Sequence, residues 1–252
     1  MMKRPSLVDG RPFDCGDLPD GLYVSQNIAV EGRRGVAVER YVSALDYAAR
    51  ELLGFGVGCS ARSLERDIAR LLAENGYPSD SLSYVIVRQY LSGELTITAN
   101  NIFPYRERAL RVLFPRAGIV DFEIPFSEVR SSLSEAAYEA ARMRLPLGVQ
   151  TVLRRNSLGE VVSADGAPLF AVVDGRVVTP EPAVLSAEFD MAAEAVLAAG
   201  LPLAVTTVAE ETLMAADELF YADHRGITAI ASCGERHYMH LLAARVGNRY
   251  LK

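Results

Sequence analysis

A chain of 252 residues, half of them apolar and 23% charged, has room for one large domain or two modest ones, each with its own core. Its net charge of −6, with arginines interleaved among acids, leaves no electrostatic case for nucleic acid or an anionic membrane as partner. No stretch reaches the roughly 18 consecutive apolar residues of a membrane span, and the early charges of Met1–Phe13 lead into no apolar run, so neither a span nor a secretory leader is expected.

In chain order, a Gly/Pro/Asp-rich start gives way to an expected strand over 22–30 and a turn at Glu31-Gly32-Arg33-Arg34-Gly35. Residues 41–53 read as a helix with Tyr41, Ala44, Leu45, Ala48 and Leu52 on one face. Ser63 is the expected N-cap of a second helix over 64–74, stopped by Asn75-Gly76. Strands are expected over 84–91, 95–98 and 109–114, so this half is an α+β layer.

Pro115 and Gly118 interrupt the pattern over 114–120. That break places a domain boundary near residue 117, between a smaller α+β domain over 1–116 and a larger β-rich α/β domain over 117–252. Beyond it come an alanine-rich helix over 134–144, a strand over 149–155, a turn at 156–159 and a short strand over 160–163. Strands over 169–173 and 176–179 flank Asp174-Gly175, a dipeptide that closes hairpins because both residues tolerate positive φ. A helix over 188–199 follows, then a strand over 204–208 and a helical turn over 210–215. Strands over 218–221 and 227–231 and a helix over 237–246 complete the chain.

Several segments resemble one known family in order and spacing. Residues Leu169-Phe170-Ala171-Val172-Val173-Asp174-Gly175-Arg176-Val177-Val178-Thr179-Pro180 follow its strand, Asp-Gly hairpin and Thr-Pro. Ala216-Asp217-Glu218-Leu219-Phe220 follows its Ala-Asp-Glu-Val-Phe stretch. In the first half, Val38-Glu39-Arg40-Tyr41-Val42-Ser43-Ala44 follows H-x-x-R-L-x-x-S-A, and Arg88-Gln89-Tyr90-Leu91-Ser92-Gly93 follows R-x-x-V-T-R-G. Together they resemble the class IV aminotransferases, the pyridoxal-phosphate family of branched-chain and D-amino-acid aminotransferases and aminodeoxychorismate lyase. The resemblance covers most of the chain. It implies an α+β, two-domain D-amino-acid aminotransferase-like architecture (fold type IV) and a homodimer.

The chain departs from the family where the family keeps its chemistry. Its only lysines are Lys3 and Lys252, and Arg130 falls where the family has its Schiff-base lysine. A neutral amine attacks an aldehyde; a guanidinium, with a pKa above about 12, does not. Ser163 falls where the family's glutamate bonds the pyridine nitrogen, and a shifted loop would restore an acid through Asp165. The helix start that cradles phosphate in the family aligns with Ala187-Glu188-Phe189-Asp190, which brings competing negative charge. The threonine-rich phosphate loop is replaced by Ala222-Asp223-His224-Arg225-Gly226. Arg40 alone keeps a position the family uses for phosphate; pairing to Glu39 or Asp46 on a helix surface is an equal reading.

The resemblance therefore implies a catalytically degenerate homologue, with Arg130 and Ser163 as vestigial positions. No cofactor is expected, because covalent pyridoxal phosphate binding is lost. An anionic small molecule in the interdomain cleft, held by Arg40 and Arg130, or a protein is the expected partner of the homodimer. The alternative is an active aminotransferase or aminodeoxychorismate-lyase-like enzyme with a rearranged site. A third reading builds a different enzyme on Asp223 and His224, with Ser232 or Cys233 as nucleophile.

Other constellations favour packing over chemistry. Cys15, Cys59 and Cys233 form neither a disulfide framework nor a zinc knuckle, and reduced thiols in a cytoplasm fit them best. His237 and His240 would share one helical face, but the third metal ligand would have to come from Asp223 or His224. The run Arg106-Glu107-Arg108 with Arg111 reads as solvated surface, and Gly54-Phe55-Gly56-Val57-Gly58 as a turn after a helix. Tyr84, Tyr90, Phe103, Tyr105 and Phe114 read as packing residues.

Overall fold

A computed structural model describes residues 5–14, 19–100, 113–182 and 184–250. Lys3, Cys15, Phe103, Tyr105, Arg106, Arg108, Arg111 and Lys252 lie outside the described residues, as does most of the strand expected over 109–114. The chain divides into two compact units, Met1–Glu107 with Glu128–Leu133, and Arg108–Ser127 with Ser134–Lys252.

The first unit is an antiparallel sheet of β1 (Pro5–Val8), β2 (Arg11–Asp14), β3 (Tyr23–Glu31), β4 (Arg34–Gly35), β5 (Leu82–Tyr90) and β6 (Leu95–Ala99), in the order β2-β1-β6-β5-β3-β4. Helices α1 (Val38–Leu53) and α2 (Ala61–Glu74) pack on each other and on the sheet. The apolar spacing of α1 buries Tyr41, Ala44, Leu45 and Ala48 as expected, but Leu53 and not Leu52 completes the face. The N-cap of α2 is Ser60, one turn before the expected Ser63. The two serines form a reciprocal capping box, in which Ser63 N–H donates to Ser60 Oγ at 3.2 Å and Ser60 N–H to Ser63 Oγ at 3.0 Å.

Strand β4 pairs only with Val30 and Glu31, so the Tyr23–Ser25 end of β3 has an edge to fill. Residues 130–132 fill it. Ser25 N–H donates to the Arg130 carbonyl at 3.1 Å, and Tyr23 N–H donates to the Ser132 hydroxyl at 3.4 Å. The backbone of Arg130 is thereby fixed to β3.

The second unit holds two five-stranded sheets. One consists of β7 (Arg116–Asp121), β8 (Thr151–Arg155), β9 (Val161–Ala164), β15 (Ser232–Cys233) and β16 (Arg236–His237), ordered β16-β15-β7-β8-β9. The other consists of β10 (Leu169–Val173), β11 (Arg176–Thr179), β12 (Leu203–Val205), β13 (Glu218–Asp223) and β14 (Gly226–Ala229), ordered β12-β11-β10-β13-β14. Both contribute to one apolar cluster, with Leu153, Val161 and Ala164 from the first sheet and Leu169, Ala171 and Leu219 from the second. The break expected over 114–120 is strand β7 itself. Gly118 serves close packing there, since a Cβ would lie 2.8 Å from Leu145 Cδ2.

Helix α3 (Ser132–Arg142) places Tyr138 and Ala141 in a second cluster with Val120, Ile124 and Val152. Helices α4 (Ala187–Ala198) and α6 (Leu241–Gly247) pack together and on β13, where Phe170 stacks between Phe189 and Phe220 at centroid distances of 6.1 and 5.2 Å. The short helix α5 (Glu210–Ala215) lies against β10. Asp174 (φ 50°) and Gly175 (φ 72°) make the expected hairpin turn, and Thr179 Oγ1 donates to the Leu169 carbonyl at 2.8 Å across its base.

Glu218, from the Ala-Asp-Glu motif, is 2% exposed and caps α6. Its carboxylate accepts the backbone N–H groups of Leu242 at 2.9 Å and Ala243 at 2.8 Å. Replacing Glu218 with Ala strands both amides and should destabilise the second unit by about 2 kcal/mol, read from its urea midpoint. Glu218→Gln, which keeps an acceptor, should lose less than half as much. A loss below about 0.5 kcal/mol for the Ala variant would show the cap to be dispensable.

Candidate functional site

The residues singled out from the sequence fall in both units. In the first, Arg40 is half-buried in the opening turn of α1, and Arg130 is half-buried in the segment bonded to β3. The Asp46 carboxylate, one of the pairing partners considered for Arg40, is engaged by Arg50 Nε at 2.7 Å and by Val57 N–H at 2.8 Å.

In the second unit, Ser163 is 9% exposed on β9, directly across from Arg154 on β8. Its hydroxyl lies 2.5 Å from the Tyr138 hydroxyl, and either oxygen can be the donor. Burial raises the Tyr138 pKa, against the opposing pull of the Ser163 bond and the Arg154 charge, so the phenol stays neutral.

Asp165, the acid that a shifted loop would supply, is engaged by Arg142 and Val152. Asp165 (φ 49°) and Gly166 (φ 79°) form a second Asp-Gly turn, closed by the Ala164–Ala167 bridge. The Asp165 carboxylate accepts Val152 N–H at 3.1 Å and Arg142 Nη2 at 3.1 Å. Burial raises its pKa in spite of both contacts. The sequence signal for this turn is the same dipeptide that identifies the hairpin at 174–175.

The start of α4 is already capped. Ser186 Oγ accepts Phe189 N–H at 3.2 Å and donates to Glu188 Oε2 at 3.1 Å, and Glu188 is 1% exposed. A carboxylate beside the helix N-terminus satisfies the positive end that would otherwise draw a phosphate. At the β13–β14 hairpin, Asp223 accepts Arg225 N–H at 2.7 Å, Nε at 3.0 Å and Nη2 at 2.5 Å, while Tyr250 Oη donates to the Asp223 carbonyl at 3.1 Å. That carboxylate is bound to its own loop.

The closing helix is shorter than expected, which separates the histidines. His237 lies in β16, His240 is the N-cap of α6 with its ring 4.6 Å from that of Phe114, and His224 is buried at the hairpin. Among the described residues no group of three or more His, Cys, Asp and Glu side chains could hold a metal ion, and no helix is long and apolar enough to cross a membrane. Burial pushes the Cys233 thiol up to about 11, with Glu210 adding to the shift, which disfavours the nucleophilic thiolate.

No family model matches the sequence, and no curated protein sequence matches it. Solved structures do match. A branched-chain aminotransferase from the archaeon Thermoproteus uzoniensis, solved with norvaline, is 19% identical, with a TM-score of 0.78 over 98% of this chain and 93% of that one. An aminotransferase from Brucella abortus is 18% identical, with a TM-score of 0.78 over 97% and 96%. The 4-amino-4-deoxychorismate lyase from Pseudomonas aeruginosa is 19% identical, with a TM-score of 0.69 over 92% and 93%. The chain has the fold of the class IV, fold type IV, aminotransferases and lyase.

These structures correct the expectation of no cofactor. The Brucella abortus enzyme was solved bound to the cofactor PLP, and a branched-chain amino acid aminotransferase 15% identical to this chain was solved with pyridoxamine 5'-phosphate. The expectation rested on the missing covalent anchor, on Ser163 in place of an acid and on acids at the helix start, yet other charges and hydrogen bonds also hold a phosphorylated cofactor.

Iodoacetamide at pH 8 should alkylate native Cys233 about 100-fold more slowly than the same cysteine in the unfolded chain, by peptide mass analysis. Equal rates would mean that the thiol is reachable and ionised.

Proposed function

We propose that this chain is a non-catalytic relative of the class IV aminotransferases, a homodimer that binds a small anionic molecule, pyridoxal or pyridoxamine phosphate included, without a covalent bond. The single observation behind this reading is that no lysine lies between Lys3 and Lys252 and that a guanidinium stands at position 130. Three features of the second unit support it. Ser163 replaces a carboxylate with a neutral hydroxyl, Asp165 is held by Arg142 and Val152, and the start of α4 is closed by Ser186 and Glu188.

The fit to a pyridoxal cofactor is partial. When bound, that cofactor supplies an electron sink for carbanions. The Ser163 hydroxyl is able to hydrogen-bond a pyridine nitrogen but cannot keep it protonated as a carboxylate does. Arg40 and Arg130 offer permanent positive charge for phosphate or carboxylate, and their guanidinium groups neither attack an aldehyde nor shuttle a proton at neutral pH. The chain's own side chains thus support binding and orientation, and none of the three offers an amine or an acid–base group for amino transfer.

The full chain should bind pyridoxamine 5'-phosphate reversibly in equilibrium dialysis, and Arg40→Ala should weaken it about tenfold, or 1.4 kcal/mol. With pyridoxal phosphate present, amino acids should be converted to oxo acids no faster than by the free cofactor. Turnover above that background would favour an active enzyme with a rearranged site. Failure of both vitamers to bind would remove them from the ligand class.

A further inference from the structure

Arg154 on β8 lies outside the positions that the family resemblance marks. It faces Val120 of β7 on one side and Ser163 of β9 on the other. Alternation along the strand puts it on the side of Val152, against the cluster that contains Tyr138, Ile124 and Ala141. Its side chain is only 6% exposed, and its Nε is buried without a hydrogen-bond partner among the described residues.

Such a cation is costly unless an anion sits within hydrogen-bonding distance. Glu123 is the acid paired with it, at 3.6 Å from Nη1, too long for a hydrogen bond. The Glu123 side chain is 56% exposed. Its first partner is Ser157, whose backbone N–H it accepts at 2.6 Å, and the Ser157 contacts contribute more than Arg154 to lowering its pKa. Beside Arg154 lie the Tyr138 and Ser163 hydroxyls, bonded to each other at 2.5 Å, with Arg154 acting on Tyr138 through charge and a hydrogen bond, and the Asp165 carboxylate near Tyr138 is held by Arg142 at 3.1 Å. Apart from the Arg142–Asp165 pair, which is satisfied internally, the charge on Arg154 meets two neutral hydroxyls and only a loosely attached, largely solvated carboxylate.

We propose that Arg154, Tyr138 and Ser163 form a binding site for a small carboxylate, over which Glu123 stands in when no ligand is bound. A planar carboxylate matches the side of a guanidinium that includes Nε–H, and either hydroxyl can turn a proton toward its second oxygen. A single arginine, with no lysine or helix N-terminus beside it, suits a monoanion better than a phosphate dianion. The site lies within the second unit. It requires no pyridoxal ligand and stands whether or not the chain turns over amino acids.

Thermal unfolding of the full chain in sodium acetate, against sodium chloride at equal ionic strength, tests it. Acetate should raise the midpoint saturably, by about 3 °C. Arg154→Met should abolish that response, and Glu123→Gln, which removes the internal competitor, should bring it on at about tenfold lower acetate. Because Arg154→Met alters a buried position, Tyr138→Phe and Ser163→Ala provide a second set, each reducing the response while the chain remains folded. Saturation transfer to the acetate methyl in NMR should follow the same order. Identical melting in acetate and chloride, a response intact in Arg154→Met, or a larger response to inorganic phosphate than to acetate would overturn the assignment.

Discussion

Between Lys3 and Lys252 the permanent positive charge of this chain is carried by guanidinium groups. A guanidinium keeps its proton at any pH where the protein is folded, presents planar donors and has no lone pair for a carbonyl carbon. It recognises anions well and cannot serve as nucleophile or base. Arg130 marks the consequence most directly. Its backbone is bonded to β3 through Ser25, so the segment that resembles the family's lysine segment is built into the first unit and carries a guanidinium.

The second unit engages its acids internally. At the positions that the resemblance aligns with the family's carboxylate and phosphate-binding segments, this chain has internal pairs. Asp165 is held by Arg142, Asp223 by Arg225, and the N-terminus of α4 by Ser186 and Glu188. Each pair satisfies polar groups of the second unit internally. These contacts make the three positions consistent with one another.

Legibility of the sequence depends on the range of the interaction that fixes each element. The hairpin at Asp174-Gly175 is set by two left-handed residues and is readable from the dipeptide. The same dipeptide at 165–166 sets a turn too, but there it overlaps a family motif that calls for a nearby acid, and the two readings compete. Ser60 and Ser63 are three apart and both can cap, so choosing between them needs the reciprocal bond. Gly118 looks like an interruption in the sequence because its purpose, close approach of Leu145 to β7, is a tertiary contact. The helix expected to carry His237 and His240 starts late because Glu218, some two dozen residues earlier in the chain, caps it at Leu242 and Ala243.

Arg154 is invisible to motif reading for a related reason. Nothing in Thr151-Val152-Leu153-Arg154-Arg155 distinguishes it from Arg155, which pairs with Asp121 at 2.6 Å on the exposed side. Only strand alternation and the cover of Tyr138 separate a buried guanidinium from a solvated one. Across the strand pair it meets Ser163, the position that the resemblance aligns with an acid. An acid at 163 would have neutralised Arg154 internally and left no charge to satisfy. With serine there, Arg154 faces two hydroxyls, and the acid paired with it is the largely solvated Glu123 at 3.6 Å.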